Sequence, residues 1–158
     1  MSDKKTKIEK ERKWLLKKLP ELNNLLTVIN ITQYYKDGWR YRMEHEAGKT
    51  PEFIKLKKQK IEKGVNKEVD IEKISQIDFY NNRIGSREDR REIIKKRYVL
   101  TIEDRKFEID LFHGLTLIIM EVENISAEEK IIFPEEIEKV LLMEVTGNSK
   151  FDNYNLGL

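Results

Sequence analysis

Charged and apolar residues alternate along most of this chain. From Ile8 to Trp14, Glu9, Glu11 and Lys13 share one face of an extended strand. The other face carries Ile8 and Trp14, with Lys10 and Arg12 between them. The same period of two recurs downstream. Arg40, Arg42, Glu44 and Glu46 alternate with Trp39, Tyr41, Met43 and His45. Lys55, Lys57 and Gln59 oppose Ile54 and Leu56, and Asn66, Glu68 and Asp70 oppose Val65 and Val69. Lys95 and Arg97 oppose Tyr98 and Leu100. Glu108 and Asp110 oppose Phe107, Ile109 and Leu111, and Glu121 and Glu123 oppose Ile118, Met120 and Val122.

Helical spacing is sparser. Pro20 followed by Leu22, Leu25, Leu26 and Ile29 predicts a helix, as does Pro134 followed by Ile137, Val140 and Leu141. A third helix is expected over Asp70–Tyr80, with Ile71, Ile74 and Ile77 as its apolar side. The charged run from Gly85 to Arg97 opens as a solvated loop or a helical turn. His113-Gly114, between two apolar runs, predicts a tight hairpin.

Any one alternating strand fits an antiparallel sheet with one wet face. Taken together, the charged faces carry carboxylates on the first strand and the late hairpin, and cations on the middle strands. A sheet that closes on itself turns these faces into one interior and sends the apolar faces outward, under helices. The fold class expected is therefore α+β: a closed antiparallel barrel with a charged lumen and a few flanking helices. Such a lumen must hold something charged, because unpaired buried charge is costly. Carboxylate pairs suit a hard divalent cation, and clustered Lys and Arg suit an oligophosphate.

The 158 residues fit a single domain over 1–158. Charged residues make up 38% of the chain, yet net charge is only +2, which argues against a nucleic-acid partner. The chain has no cysteine, which excludes disulfides and thiolate chemistry. No apolar run approaches the roughly 20 residues of a membrane span. The start, MSDKKTKIEKERK, lacks the apolar segment of a signal peptide, so a soluble, cytoplasmic protein is expected. No glycine-rich phosphate loop is present. His45 and His113 are too few for a histidine metal site. Trp14, Trp39, Phe107 and Phe112 suit packing between barrel and helices.

The ordered motifs resemble the CYTH superfamily, the triphosphate tunnel metalloenzymes. E-x-E-x-K is Glu9-Lys10-Glu11-Arg12-Lys13, followed by Trp14 and Leu19-Pro20. I-x-Q-x-Y is Ile31-Thr32-Gln33-Tyr34-Tyr35, R-x-R is Arg40-Tyr41-Arg42, and K-x-R-Y is Lys95-Lys96-Arg97-Tyr98. The acidic pair of strands is Glu108-Ile109-Asp110-Leu111-Phe112 and Glu121-Val122-Glu123. The end is Glu144-Val145-Thr146, then Lys150-Phe151 and Asn153.

The resemblance covers essentially the whole chain and implies an eight-stranded tunnel that binds triphosphate with Mg²⁺ or Mn²⁺. By that resemblance Glu9, Glu11, Glu121 and Glu123 hold the metal, with Asp110 as a further ligand. Lys13, Arg40, Arg42, Lys55, Lys57, Lys95, Arg97 and Lys150 hold phosphate oxygens, and Lys13 and the four glutamates form the catalytic set. The chain departs from the pattern on the fourth motif strand. Asn66-Lys67-Glu68-Val69-Asp70 stands there in place of R-x-E-x-E, and the lumenal arginine is missing. Three functions fit: a metal-dependent triphosphatase acting on inorganic or small organic triphosphate, an adenylate cyclase of the same fold, and a non-catalytic module binding polyphosphate or RNA 5′-triphosphate. Monomer and homodimer both remain open.

Overall fold

Strand β1 (Lys5–Leu16) is paired along both edges and closes the molecule. The computed structural model describes residues 5–21, 27–85 and 92–156. Eight further strands follow: β2 (Thr27–Lys36), β3 (Trp39–Glu46), β4 (Glu52–Glu62), β5 (Val65–Lys73), β6 (Ile93–Ile102), β7 (Arg105–Phe112), β8 (Ile118–Glu123) and β9 (Leu141–Glu144). Every pairing is antiparallel, in the order β5-β4-β3-β2-β6-β7-β8-β1, and β1 returns to β5. That is a closed barrel of eight strands, the fold class the alternation predicts. The short β9 extends it by pairing with Trp14–Leu16, on the edge of β1 that β5 has left.

The switch between these two partners needs a glycine. Gly64, in the β4–β5 turn, has φ +76°, and its carbonyl accepts the Glu11 N–H at 2.9 Å. A Cβ there would lie 3.0 Å from the Glu11 carbonyl oxygen, so both backbone conformation and space favour glycine.

The apolar faces point outward under helices, inverting the usual barrel. Trp14, Leu16, Phe107, Ile109, Met120 and Val122 pack under Ile125, Ile137 and Val140, around α2 (Glu135–Glu138). Tyr34 and Tyr41 stack on the outside of β2 and β3, beneath Phe79 of α1 (Gln76–Gly85). Burial of this kind contributes roughly 25 cal/mol per Å² of apolar surface.

Two expected elements differ. α1 starts at Gln76, and Ile71 lies on β5. Asp70 at φ 55° bends β5, and Ser75 Oγ accepts the Asp78 N–H at 3.0 Å, which sets the helix start. Its buried side is Phe79, while Ile77 is 70% exposed. The turn at His113-Gly114 is wider than a tight hairpin, because Phe112 N–H reaches back only to the Leu117 carbonyl. The helix expected after Pro20 falls on Leu22, Leu25 and Leu26, outside the described residues, and Ile29 lies on β2. Of the charged run, residues 86–91 also lie outside them, and Ile93–Arg97 belong to β6.

Candidate functional site

Residues paired directly across antiparallel strands share a face, so the registers define the lumen. Glu11 faces Glu123, Lys13 faces Glu121, and Glu9 faces Asn66. Around the barrel, Glu121 faces Glu108, Asp110 faces Arg97, and Lys95 faces Ile31, which in turn faces Glu44. Arg42 faces Gln33, and Arg40 faces Tyr35. Glu11, Gln33, Arg40, Arg42, Glu68, Lys95, Arg97, Glu108, Asp110 and Glu121 are all buried. No buried side-chain nitrogen or oxygen among the described residues lacks a partner.

One group of these charges is internally balanced. Asp110 accepts from Arg97 through both carboxylate oxygens, at 2.8 and 2.9 Å, and lies 2.7 Å from Lys95 Nζ. Arg97 also donates to Glu108 at 3.0 Å. Burial alone would raise the Asp110 pKa, but Lys95 and Arg97 hold it below the usual carboxylate range. Burial, with Arg97 and Arg42 nearby, pulls Lys95 down to about 7.

The other group is crowded with like charge. Burial and the neighbouring Glu121 push Glu11 up to about 8. Burial and Glu108 push Glu123 up to about 7, and burial and Glu68 raise Glu9. Each of these acids sits beside another acid and holds its proton tightly, which is the state of an oxygen-donor site that favours a cation. Glu121 differs, because burial would raise its pKa but Lys13, Arg97 and Lys95 hold its carboxyl below the usual range. As oxygen donors Glu9, Glu11, Glu121 and Glu123 fit a hard divalent ion. Among the described residues they are arranged in pairs, and no three acids or histidines converge on one point. Asp110 does not fit, because its oxygens are already taken by Lys95 and Arg97.

A cavity of about 1010 Å³ opens between the β2–β3 turn, the β4–β5 turn and the carboxyl-terminal segment. Glu11, Lys13, Arg40, Lys58, Lys60 and Asn66 line its wall. Beyond Lys13 the lumenal face turns apolar. Leu15, Ile93, Phe112 and Ile119 meet Phe151 and Leu156 there and close part of the barrel end.

β4 corrects the sequence expectation. Arg40 faces Leu56 and Arg42 faces Ile54, so Leu56 and Ile54 point inward. Lys55 and Lys57 lie outside, their ammonium groups 4.6 and 4.5 Å from the Trp39 ring centroid. Lys58 and Lys60 share the parity of Ile54 and Leu56 and so point inward, opposite Glu68 and Asn66. Lys58 lies 3.6 Å from Glu11. Lys150 is exposed on the 3₁₀ turn Ser149–Phe151. In its place Asp152 and Asn153, at the start of α3 (Asn153–Leu156), reach the lumenal lysines. The adjacent lysines of the KLKKQK stretch hide which parity is inside, and only the pairing partner resolves it.

Two solved structures, of the hypothetical protein NE1496 and of the inorganic triphosphatase NE1496, are each 24% identical to this chain at a TM-score of 0.62. Both matches cover 95% of this chain, and 97% and 94% of the respective solved chains. The PH1819 protein from Pyrococcus horikoshii OT3 is 20% identical at a TM-score of 0.52, over 83% of this chain and 85% of that one. These likenesses establish the fold, and it is the barrel that the CYTH resemblance implies. No protein-family profile and no curated protein matches the sequence. No helix among the described residues is long and apolar enough to cross a membrane.

Proposed function

We propose that this protein is a CYTH-type phosphoanhydride hydrolase that cleaves inorganic or small organic triphosphate with a divalent cation. The observation that carries the reading is the convergence in one lumen of cations without a full complement of acids and acids without a full complement of cations. Lys13, Arg40, Lys58 and Lys60 line a cavity large enough for an oligophosphate. Arg40 offers a planar fork of donors and the lysines offer point charges, which together stabilise charge developing on phosphate oxygens. Arg42, buried behind Arg40 and hydrogen-bonded to Gln33 at 3.0 Å, keeps the local potential positive. Glu9, Glu11, Glu121 and Glu123 would hold Mg²⁺ or Mn²⁺. The ion would supply charge neutralisation and activation of water. The fold shared with the inorganic triphosphatase NE1496 supports the same reading.

The test is phosphate release from inorganic triphosphate, pyrophosphate, ATP and thiamine triphosphate, with Mg²⁺, with Mn²⁺ and with excess chelator. Release from a triphosphate that depends on added metal is expected. Equal turnover in chelator, or no release from any of the four, overturns the proposal.

A further inference from the structure

The carboxyl-terminal segment is pinned by two apolar side chains. Phe151 and Leu156 pack against Ile93, Phe112 and Ile119, and Asp152, Asn153 and Tyr154 between them line the cavity. Asp152 spreads its two carboxylate oxygens over two lysines. Oδ2 lies 2.5 Å from Lys60 Nζ and Oδ1 lies 3.8 Å from Lys13 Nζ. The Phe151 carbonyl accepts from Lys13 Nζ at 3.4 Å, and Asn153 Oδ1 accepts from Lys95 Nζ at 3.1 Å. A short segment thus places one anion and two neutral acceptors on three lumenal cations. Two oxygens of one acid bridging two ammonium groups is also the pattern a phosphate would make there.

We propose that Asp152 is a built-in competitor for the phosphate seat, holding Lys13 and Lys60 until an oligophosphate displaces it. The inference rests on the phosphate reading above and adds a residue that sets affinity in that site. Breaking the two ion pairs subtracts from the binding free energy of any anion that takes both lysines. A triphosphate carries more charge than one carboxylate and makes more contacts, so it wins the exchange. After the reaction the same carboxylate returns and hastens product release. The Asp152 side chain is 28% exposed, so it can swing into water without stranding a buried charge.

Asp37 is the matched control. It lines the same cavity mouth and carries the same charge, with no ion pair among the described residues. The experiment is calorimetric titration of imidotriphosphate, a hydrolysis-resistant triphosphate, with and without Mg²⁺. The proteins are the wild type, Asp152→Asn, Asp152→Ala and Asp37→Asn. Both Asp152 variants are expected to bind roughly fivefold tighter. Asp37→Asn should stay within about twofold of the wild type at physiological salt. Equal affinity of the wild type and the Asp152 variants overturns this inference alone, as does equal tightening by Asp37→Asn. Absence of binding by all four proteins overturns both the inference and the phosphate reading.

Discussion

β6 presents Lys95 and Arg97 to Glu108 and Asp110 of β7, and each charge has an opposite partner within 3.0 Å. On β1, β5 and β8, Glu9 lies beside Glu68 and Glu11 beside Glu121, while Glu123 lies beside Glu108 of the adjacent β7. Both groups lie on the same wall, and Glu11 and Glu121 are as buried as Arg97, so burial alone does not sort them, although Glu9 and Glu123 are only half-buried. Charge balance does. The first group is complete within the protein and acts as structure. In the second, burial and neighbouring acids raise Glu9, Glu11 and Glu123, and under the proposed function a cation would complete it. A buried charge becomes a candidate for function when its partner is missing or has the same sign.

The largest expected effect breaks the balanced group. Asp110→Ala leaves Lys95 and Arg97 buried with only Glu108 between them, and should cost about 3–5 kcal/mol of unfolding free energy. Glu11→Gln in the crowded group should change stability by less than about 1 kcal/mol. Its amide keeps an acceptor for Asn66, 3.4 Å away, and gains a donor for Glu121. Denaturant unfolding of the two variants side by side checks the contrast. Equal destabilisation would erase the distinction between the groups.

A smaller effect separates the inner wall from the outer. Lys58→Gln should weaken triphosphate binding roughly tenfold, the loss of one charge-assisted contact. Lys57→Gln, one residue away and stacked on Trp39, should leave binding unchanged. Calorimetric titration reads both. A larger loss with Lys57 than with Lys58 would mean that β4 has the opposite parity.

This pair of lysines also marks where the sequence stops being readable. On β3 and β8 an alternation of charged and large apolar residues places Arg40, Arg42, Glu121 and Glu123 inside, because the adjacent pairings there are regular. On β1, where Lys10 and Arg12 share the outer face, the E-x-E-x-K spacing marks Glu9, Glu11 and Lys13. On β4 cations occupy both parities, and the register shifts after Lys55 and Lys60, so alternation carries no direction. The α1 start is legible in the sequence. Ser75-Gln76-Ile77-Asp78 is an N-cap pattern, and Ile71 belongs to the strand before it. The roles of Asp152 and Asn153 were not legible. They depend on where Phe151 and Leu156 anchor the segment, which is a tertiary contact.

The smallest effect concerns an ion pair on the outer wall, which completes the series from buried to wet. Arg12 and Glu144 join β1 to β9 through two hydrogen bonds, at 2.9 and 2.7 Å. Arg12 also donates to the Glu129 carbonyl at 2.6 Å and lies 5.0 Å from the Trp14 ring centroid. The hydrogen bonds from Arg12 hold the Glu144 carboxyl below its ordinary value of 4.5. Glu144 is largely solvated, so the pair contributes at most about 1 kcal/mol. The direction with pH follows from proton uptake. The unfolded chain binds a proton to this acid more readily than the folded one, so the contribution is present above the ordinary carboxyl pKa. It fades as pH falls through the lower folded value. Glu144→Gln should therefore be less stable than the wild type at about pH 7, and the gap should narrow toward about pH 3. Urea unfolding of both proteins across that range measures it. A gap that widens on acidification would show that Glu144 is stabilised by something other than its charge, such as the 2.6 Å hydrogen bond it accepts from Thr146. The outer pair would then resemble the balanced lumenal group in depending on geometry more than on solvent.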